Sequence, residues 1–355
     1  MLIHPSDFRA IVSGRRKGFS ASLIRGLLSV AEIPYSAAVR LRNWRYDHER
    51  VTVHQAGVPV VSVGNLTLGG TGKTPMVEWI ARFLRSQDLR VALVSRGYGA
   101  QRGQINDEAL ELRQKLPDVP HVLNPNRATA AREAVEQHAA QVIVLDDGFQ
   151  HRRLARDLDI VLVDALEPFG FGHVFPRGTL REPLAGWRRA DIIVLSRADQ
   201  VPATERAKIR EQVSRYAHAA AWAEVCHAPK SLLSSSGAQQ PIDSLAGRRI
   251  AAFCGIGNPA AFRRLLEDCG YEIDDFRELP DHCRFDSNQI SQLESWAAST
   301  SASAIACTQK DLVKVRREQM GNKPLWALSV GLEFLSGEDS LRARLALLAA
   351  KARSV

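Results

Sequence analysis

Lys73 and Thr74 close the run Thr67-Leu68-Gly69-Gly70-Thr71-Gly72-Lys73-Thr74, set between an apolar stretch, Val58 to Val63, and a segment with helical patterning. A loop of this composition is suited to phosphate. Its glycines let successive backbone N–H groups turn inward, and the helix that follows adds its positive dipole end. The Lys73 ammonium would neutralise the β- and γ-phosphates of a nucleoside triphosphate, and the Thr74 hydroxyl would complete a Mg²⁺ shell. The usual pattern opens on a glycine where this chain has Thr67; its glycines stand at Gly64, Gly69, Gly70 and Gly72. Context supports the loop. Met76, Val77, Ile80, Phe83 and Leu84 share one helical face, and Pro75 falls in the first turn, where a missing N–H costs nothing.

Phosphoryl transfer requires positioning and charge neutralisation, so carboxylates at strand ends are the next residues to find. Val142-Ile143-Val144-Leu145 runs into Asp146-Asp147-Gly148-Phe149-Gln150-His151, an apolar strand ending in acid, as in a Walker B segment. Two adjacent carboxylates repel unless a cation sits between them. Asp107-Glu108, Arg181-Glu182 and Asp281-His282 are further candidates. Judged singly, each is an ordinary solvated pair.

The elements that would position these groups follow a regular alternation. Val91 to Ser95, Val142 to Leu145, Ile160 to Val163 and Ile192 to Leu195 look like buried parallel strands, with helical stretches such as Ala128 to Ala140 between them. The pattern predicts an α/β fold with a mostly parallel sheet of the P-loop NTPase type. Residues 229–247 shift to Ser, Gln, Gly and Pro, as a linker or excursion would. A second αβ group follows, from Ile250 to Phe253, a helix near Pro259 to Cys269, and Ala304 to Cys307. The expected division is 1–50 as a basic amphipathic segment and 51–228 as the kinase core. After the linker, 248–355 forms a smaller lobe that closes over the active-site cleft.

The 355 residues suffice for one large or two medium cores, and 45% hydrophobic with 24% charged residues describes a soluble globular protein. Five cysteines, odd in number and without C-x-x-C spacing, point to reduced thiols rather than disulfides or zinc. The net charge of +8 is uneven: residues 1–45 hold eight Lys/Arg and two acids. From Phe19 to Ile33 the residues Phe19, Leu23, Ile24, Leu27, Leu28, Val30 and Ala31 cover most of a helix. Ser22, Arg25, Ser29 and Glu32 form a narrow polar stripe. The stretch is too short, and too interrupted by Arg25, to span a bilayer. Two readings stay open: a helix in the membrane interface, held by Arg15, Arg16, Lys17, Arg40, Arg42 and Arg45, or a helix packed on the protein's own core.

Read in order, the fragments resemble the tetraacyldisaccharide 4′-kinases of lipid A biosynthesis. Gly64-Asn65-Leu66-Thr67 leads into Gly-Gly-Thr-Gly-Lys-Thr-Pro, followed by Ser95-Arg96-Gly97-Tyr98-Gly99, Asp107-Glu108 and Asp146 to His151. Leu180-Arg181-Glu182, Gly255-Ile256-Gly257-Asn258-Pro259, Asp281-His282 and Thr308-Gln309-Lys310-Asp311 complete the series, which runs from about Gly18 to Lys314. The resemblance implies transfer of the γ-phosphoryl of ATP, with Mg²⁺, to the 4′-hydroxyl of a tetraacylated glucosamine disaccharide 1-phosphate, giving lipid IVA. It implies peripheral attachment to the cytoplasmic face of the inner membrane through residues 1–45, and so favours the membrane reading of the basic helix. By the same likeness, Thr67 to Thr74 and Arg181 would bind nucleotide, with Lys73 also catalytic. Asp107 would take the sugar hydroxyl proton, assisted by His282, and Thr74, Asp146, Asp147 and Glu182 would surround the metal. The chain departs from the family twice. Asn106-Asp107-Glu108-Ala109 stands for the usual Gly-Asp-Glu-Pro, and Gln309 replaces a glutamate.

Two other functions fit parts of the sequence. Ser196-Arg197-Ala198-Asp199 follows a strand where a GTPase carries its guanine-reading Asn-Lys-x-Asp. The basic arm could belong to a nucleic-acid-binding ATPase, but its aromatics are few and its apolar face is large, so no nucleic acid is expected.

Overall fold

A computed structural model of the chain describes residues 5–97, 107–280, 283 and 285–354. The described residues form two compact units, one made of residues 5–97, 116–226 and 333–354, the other of residues 107–115, 227–280, 283 and 285–332.

The first unit opens with helices α1 (Pro5–Val12) and α2 (Phe19–Asp47). Strand β1 (Val60–Asn65), helix α3 (Lys73–Arg85) and strand β2 (Val91–Ser95) follow. Helix α4 (Asp107–Lys115) belongs to the second unit. The first unit resumes with β3 (His121–Leu123), α5 (Arg127–His138), β4 (Val142–Asp146), β5 (Leu158–Asp164), β6 (Ile192–Ser196) and α6 (Ala203–Ser214). In β7 (Ala221–Leu233) the chain passes into the second unit.

The seven strands of the first unit form a parallel sheet in the order β7-β6-β5-β1-β4-β2-β3. Strands β1, β2, β4, β5 and β6 are buried along their whole length, which is why they read as unbroken apolar runs. Helix α3 packs on β1, β2 and β4, and α5 on β2 and β3. The connections diverge at β1, whose two neighbours, β4 and β5, both come later in sequence. A crevice at the carboxyl ends of strands, beside such a switch point, is where open α/β sheets bind ligands.

The second unit continues with β8 (Gln239–Gln240), β9 (Arg249–Cys254), α7 (Pro259–Asp268), β10 (Glu272–Glu278) and α8 (Ser287–Ser299). Then come β11 (Ala304–Thr308), α9 (Gln309–Val315), β12 (Gln319–Met320) and β13 (Lys323–Ser336). Strands β10, β9, β11 and β13 lie parallel in that order. Helix α10 (Glu338–Arg353) returns to the first unit.

This division departs from the sequence-based boundaries in three places. Residues 333–355, expected in the C-terminal lobe, pack in the first unit, where Arg342 lies 5.1 Å over the ring of Trp79. Residues 107–115, expected in the core, pack through α4 on α9 of the second unit. The presumed linker 229–247 contains the end of β7, β8 and a 3-10 turn at Ile242–Leu245 that buries Leu245. Within the second unit, Asp311 explains two of the recurring fragments. Its Oδ2 accepts from Gly255 N (3.1 Å) and from the Thr308 hydroxyl (2.6 Å), so Gly255 and the Thr308–Asp311 turn brace one another.

Helix α2 extends to Asp47, well past Ile33, and continues through Pro34. Its orientation is the reverse of a soluble amphipathic helix. The polar stripe faces the protein: Arg25 donates to Arg16 O (3.0 Å), Glu32 accepts from Val174 N (2.8 Å) and meets His173 Nδ1 (3.0 Å), and Asn43 reaches Glu182. The apolar side chains of Phe19, Leu23, Leu27, Val30, Ile33, Leu41 and Trp44 point outward, with Phe19 87% and Ile33 69% exposed. No helix among the described residues is long and apolar enough to cross a membrane.

Candidate active site

The phosphate loop leaves β1 in an extended conformation. Arg181 N donates to Leu66 O (2.6 Å), Leu68 N donates to Thr179 O (2.7 Å), and Thr67 bridges Leu180 in antiparallel fashion. Thr67 is therefore a strand-like residue, and no glycine is required there. The left-handed positions fall later, at Gly69 (φ 114) and Gly72 (φ 80), where glycine avoids the Cβ penalty. Asn65, fully buried, donates from Nδ2 to Thr67 O (2.7 Å) and accepts from Lys73 Nζ (3.4 Å) at Oδ1. One amide thus fixes both ends of the loop. Thr74 is buried in the first turn of α3.

The carboxylates arrive from β4, the neighbour of β1. Gly148 N donates to Val63 O (3.1 Å), bringing the Asp-Asp-Gly-Phe turn against β1. A Cβ at Gly64 would stand 2.6 Å from Phe149 Cβ and 2.8 Å from its backbone nitrogen. This contact accounts for the glycine at the strand end. Gly64→Ala is expected to cost about 1–3 kcal/mol of stability by overpacking, measured by urea unfolding; an unchanged midpoint would contradict the contact.

Asp147, in a left-handed conformation (φ 51), lies 3.5 Å from Lys73 Nζ and receives Arg181 Nη1 at 3.0 and 2.8 Å. Burial acts to raise its pKa, but Lys73 and Arg181 outweigh burial and hold the carboxyl below its ordinary value. It is an anion among cations, at the place where a triphosphate would supply the negative charge.

Glu182 is different. Its side chain is fully buried, and both oxygens are engaged: Oε1 by Arg189 (2.8 Å) and Gln150 (3.1 Å), Oε2 by Asn43 (2.7 Å). Burial pushes its pKa up, and Arg189 with the two amides brings it below the usual value. The sequence grouped Glu182 with the metal; in the structure its hydrogen bonds tie α2 to the rim of the phosphate loop. The oxygens suited to a hard cation are the Thr74 hydroxyl and the buried carboxylate of Asp146, at the end of β4. A pair of oxygen donors fits Mg²⁺, which binds one or two protein groups and takes the rest of its octahedron from phosphate and water.

Of the expected site residues, the structure brings together Thr67 to Thr74, Asp146, Asp147, Arg181 and Glu182. Asp107 begins α4, but its side chain lies outside the described residues, as does His282. The sequence reading missed Asn65, Gln150 and Arg189 as partners of the site, along with Asn43 on α2. It also missed Arg127, which opens α5 and whose pKa falls to about 10. Burial is the main cause, partly offset by the attraction of Asp147. The first two stand inside recognised motifs, so their position was a signal; Arg189 and Arg127 have none in sequence.

His151 closes the Asp-Asp-Gly-Phe-Gln-His turn with its pKa lowered from 6.5 to about 4 by burial, then by Arg127, Arg153, Arg156 and Arg96. A histidine held neutral in the fold binds fewer protons than in the unfolded chain, so its stabilisation is full above pH 6.5 and is lost as pH falls toward about 4. His151→Gln should flatten the stability curve across that window; an unchanged curve from urea unfolding at stepped pH would contradict the neutral assignment.

Comparison with known proteins identifies the family of the chain. The family model described as Tetraacyldisaccharide-1-P 4'-kinase matches residues 24–349. A tetraacyldisaccharide 4′-kinase from Anaeromyxobacter dehalogenans (strain 2CP-C) is 40% identical, the match covering 96% of this chain and 95% of that relative. One from Syntrophus aciditrophicus is 37% identical, covering 86% and 88%. The crystal structure of LpxK from Aquifex aeolicus in complex with ATP superposes with a TM-score of 0.74 at 28% identity, covering 92% of this chain and 99% of that one. The chain belongs to the tetraacyldisaccharide-1-P 4′-kinase family.

Proposed function

We infer that this chain transfers the γ-phosphoryl group of ATP to the 4′-hydroxyl of a tetraacylated disaccharide 1-phosphate, producing lipid IVA. The observation that carries the reading is the Lys73–Asp147–Arg181 cluster on a β1–loop–α3 phosphate site, in a chain of this family. Lys73 and the loop amides hold the β- and γ-phosphates, with the positive end of α3 behind them. Arg181 adds a second cation beside the transferring group, where charge spreads over the equatorial oxygens. Thr74 and Asp146 are the residues that would hold Mg²⁺. When bound, the ion neutralises phosphate charge. Asp147 keeps Lys73 and Arg181 oriented, and Glu182 fixes Arg189, Gln150 and Asn43 around the loop. Asp107 orients the sugar hydroxyl and takes its proton, and His282 assists it; these two roles rest on the family resemblance.

The outward apolar stripe of α2, flanked by Arg15, Arg16, Lys17, Arg40, Arg42 and Arg45, supports attachment to an anionic bilayer surface on the cytoplasmic face of the inner membrane. Leu23, Leu27 and Val30 are more than half exposed, so changing all three to Glu should leave the fold intact and weaken binding to phosphatidylglycerol vesicles at least 10-fold. Undiminished co-sedimentation would count against the stripe as the anchor.

A GTPase reading is disfavoured by the turn after β6. The Ser196 hydroxyl, where an asparagine would be needed, is buried against Val163 O (3.3 Å). ADP release that depends on the lipid acceptor, with little turnover of GTP, is the expected result; equal turnover of both nucleotides without acceptor would overturn the kinase assignment.

A further inference from the structure

The turn Ser196-Arg197-Ala198-Asp199 has no part in the phosphate chemistry above, yet it touches the phosphate loop. Arg197 adopts a left-handed backbone (φ 55), and its Nη2 donates to Gly70 O at 3.0 Å. The same guanidinium is paired with Asp164, at the end of β5. Two partners therefore grip its edge, one on the loop and one on the sheet. Its side chain retains 19% exposure, and Nε has no hydrogen-bond partner among the described residues. Nothing lies within 4 Å of where a Cβ on Gly70 would stand, so the loop beside the guanidinium is open.

Sheet order gives this flank a direction. Asp147 and Arg181, beside Lys73, mark the β4 side of the loop as the side of the transferring phosphate. Strands β5 and β6 lie on the opposite side of β1. A triphosphate whose γ end points toward β4 runs its nucleoside toward β6, where Arg197 stands. Guanidinium groups are planar and weakly hydrated, and they stack on aromatic faces.

We propose that Arg197, held edge-on by Gly70 and Asp164, is the platform on which the purine base of the nucleotide lies. The proposal rests on the ATP reading of the loop. Stacking on a guanidinium requires no base-specific hydrogen bond, which fits a turn whose Ser196 faces inward.

The test measures binding of ATP and of inorganic tripolyphosphate, which has no base, to the full chain by calorimetry. Arg197→Ala should weaken ATP about 3- to 30-fold, the range of a cation–π contact, and leave tripolyphosphate within 2-fold. Arg197→Lys retains a charge for Gly70 and Asp164 and is the variant to read if the alanine protein does not fold. It should bind tripolyphosphate normally and ATP more weakly than the parent. An equal loss for both ligands in either variant would make Arg197 a brace of the loop and overturn the platform, as would unchanged ATP affinity. If the unmodified chain binds tripolyphosphate as tightly as ATP, no base site exists and the platform falls while the phosphate loop stands. If it binds neither, the ATP reading falls as well.

Discussion

Lys73→Ala is expected to lower kcat/KM for ATP by about 10²–10³-fold, the usual cost of removing one preorganised donor from developing charge. The side chain is only 10% exposed and is steered by Asn65 and Asp147, so its ammonium is in position before nucleotide arrives. Water entering the space left by alanine would solvate the phosphates but would have to reorganise as charge shifts toward the leaving group. Both ATP affinity and kcat should fall, as expected for a lysine that would meet the phosphates in the ground state and in the transition state. Arg is a poor replacement, since a planar fork does not fill the position of a compact ammonium. Steady-state kinetics with calorimetric ATP binding would check this. A variant that loses affinity but keeps kcat would assign Lys73 to binding alone.

Asp107→Ala should show the complementary pattern: kcat down about 10²–10⁴-fold, the range of general base catalysis, with ATP affinity nearly unchanged. In a loose phosphoryl-transfer transition state the hydroxyl loses its proton late, so a carboxylate in the base role would act mainly by aiming the nucleophile. Near-parental turnover would remove Asp107 from the base role. Asn106 and Ala109 replace the family's glycine and proline around it. Asn106→Gly with Ala109→Pro is therefore the natural companion variant for judging whether these two replacements limit the rate.

The parts of the fold that were legible in sequence are those where one interaction dominates. Strands buried on both faces must be apolar throughout, and β1, β2, β4, β5 and β6 emerged at the expected places. The phosphate loop was legible because glycine and lysine are required there by backbone geometry and charge. Its irregular opening became intelligible only with the pairing of Leu66–Leu68 to Thr179–Arg181, a contact more than a hundred residues apart in sequence. Glu182 shows the other limit. A carboxylate beside an arginine reads the same whether it faces a metal or accepts hydrogen bonds from Arg189, Gln150 and Asn43, since the partners come from three separate segments. Helix α2 shows a third. Hydrophobic periodicity locates two faces but does not say which one is covered, and here the polar stripe supplied the intramolecular contacts. Strand β10 was missed because its exposed, acidic face gives no apolar run.

The identity of the product tests the activity of this chain most directly. Purified chain, γ-³²P-labelled ATP, Mg²⁺ and tetraacyldisaccharide 1-phosphate in mixed micelles should yield a labelled lipid with one phosphate more than the acceptor. Phosphorus NMR of that lipid should show a new monoester on the 4′-oxygen of the distal glucosamine, with none formed by the Lys73→Ala protein. Label on inorganic phosphate alone, or on a pyrophosphate at the 1-position, would contradict it.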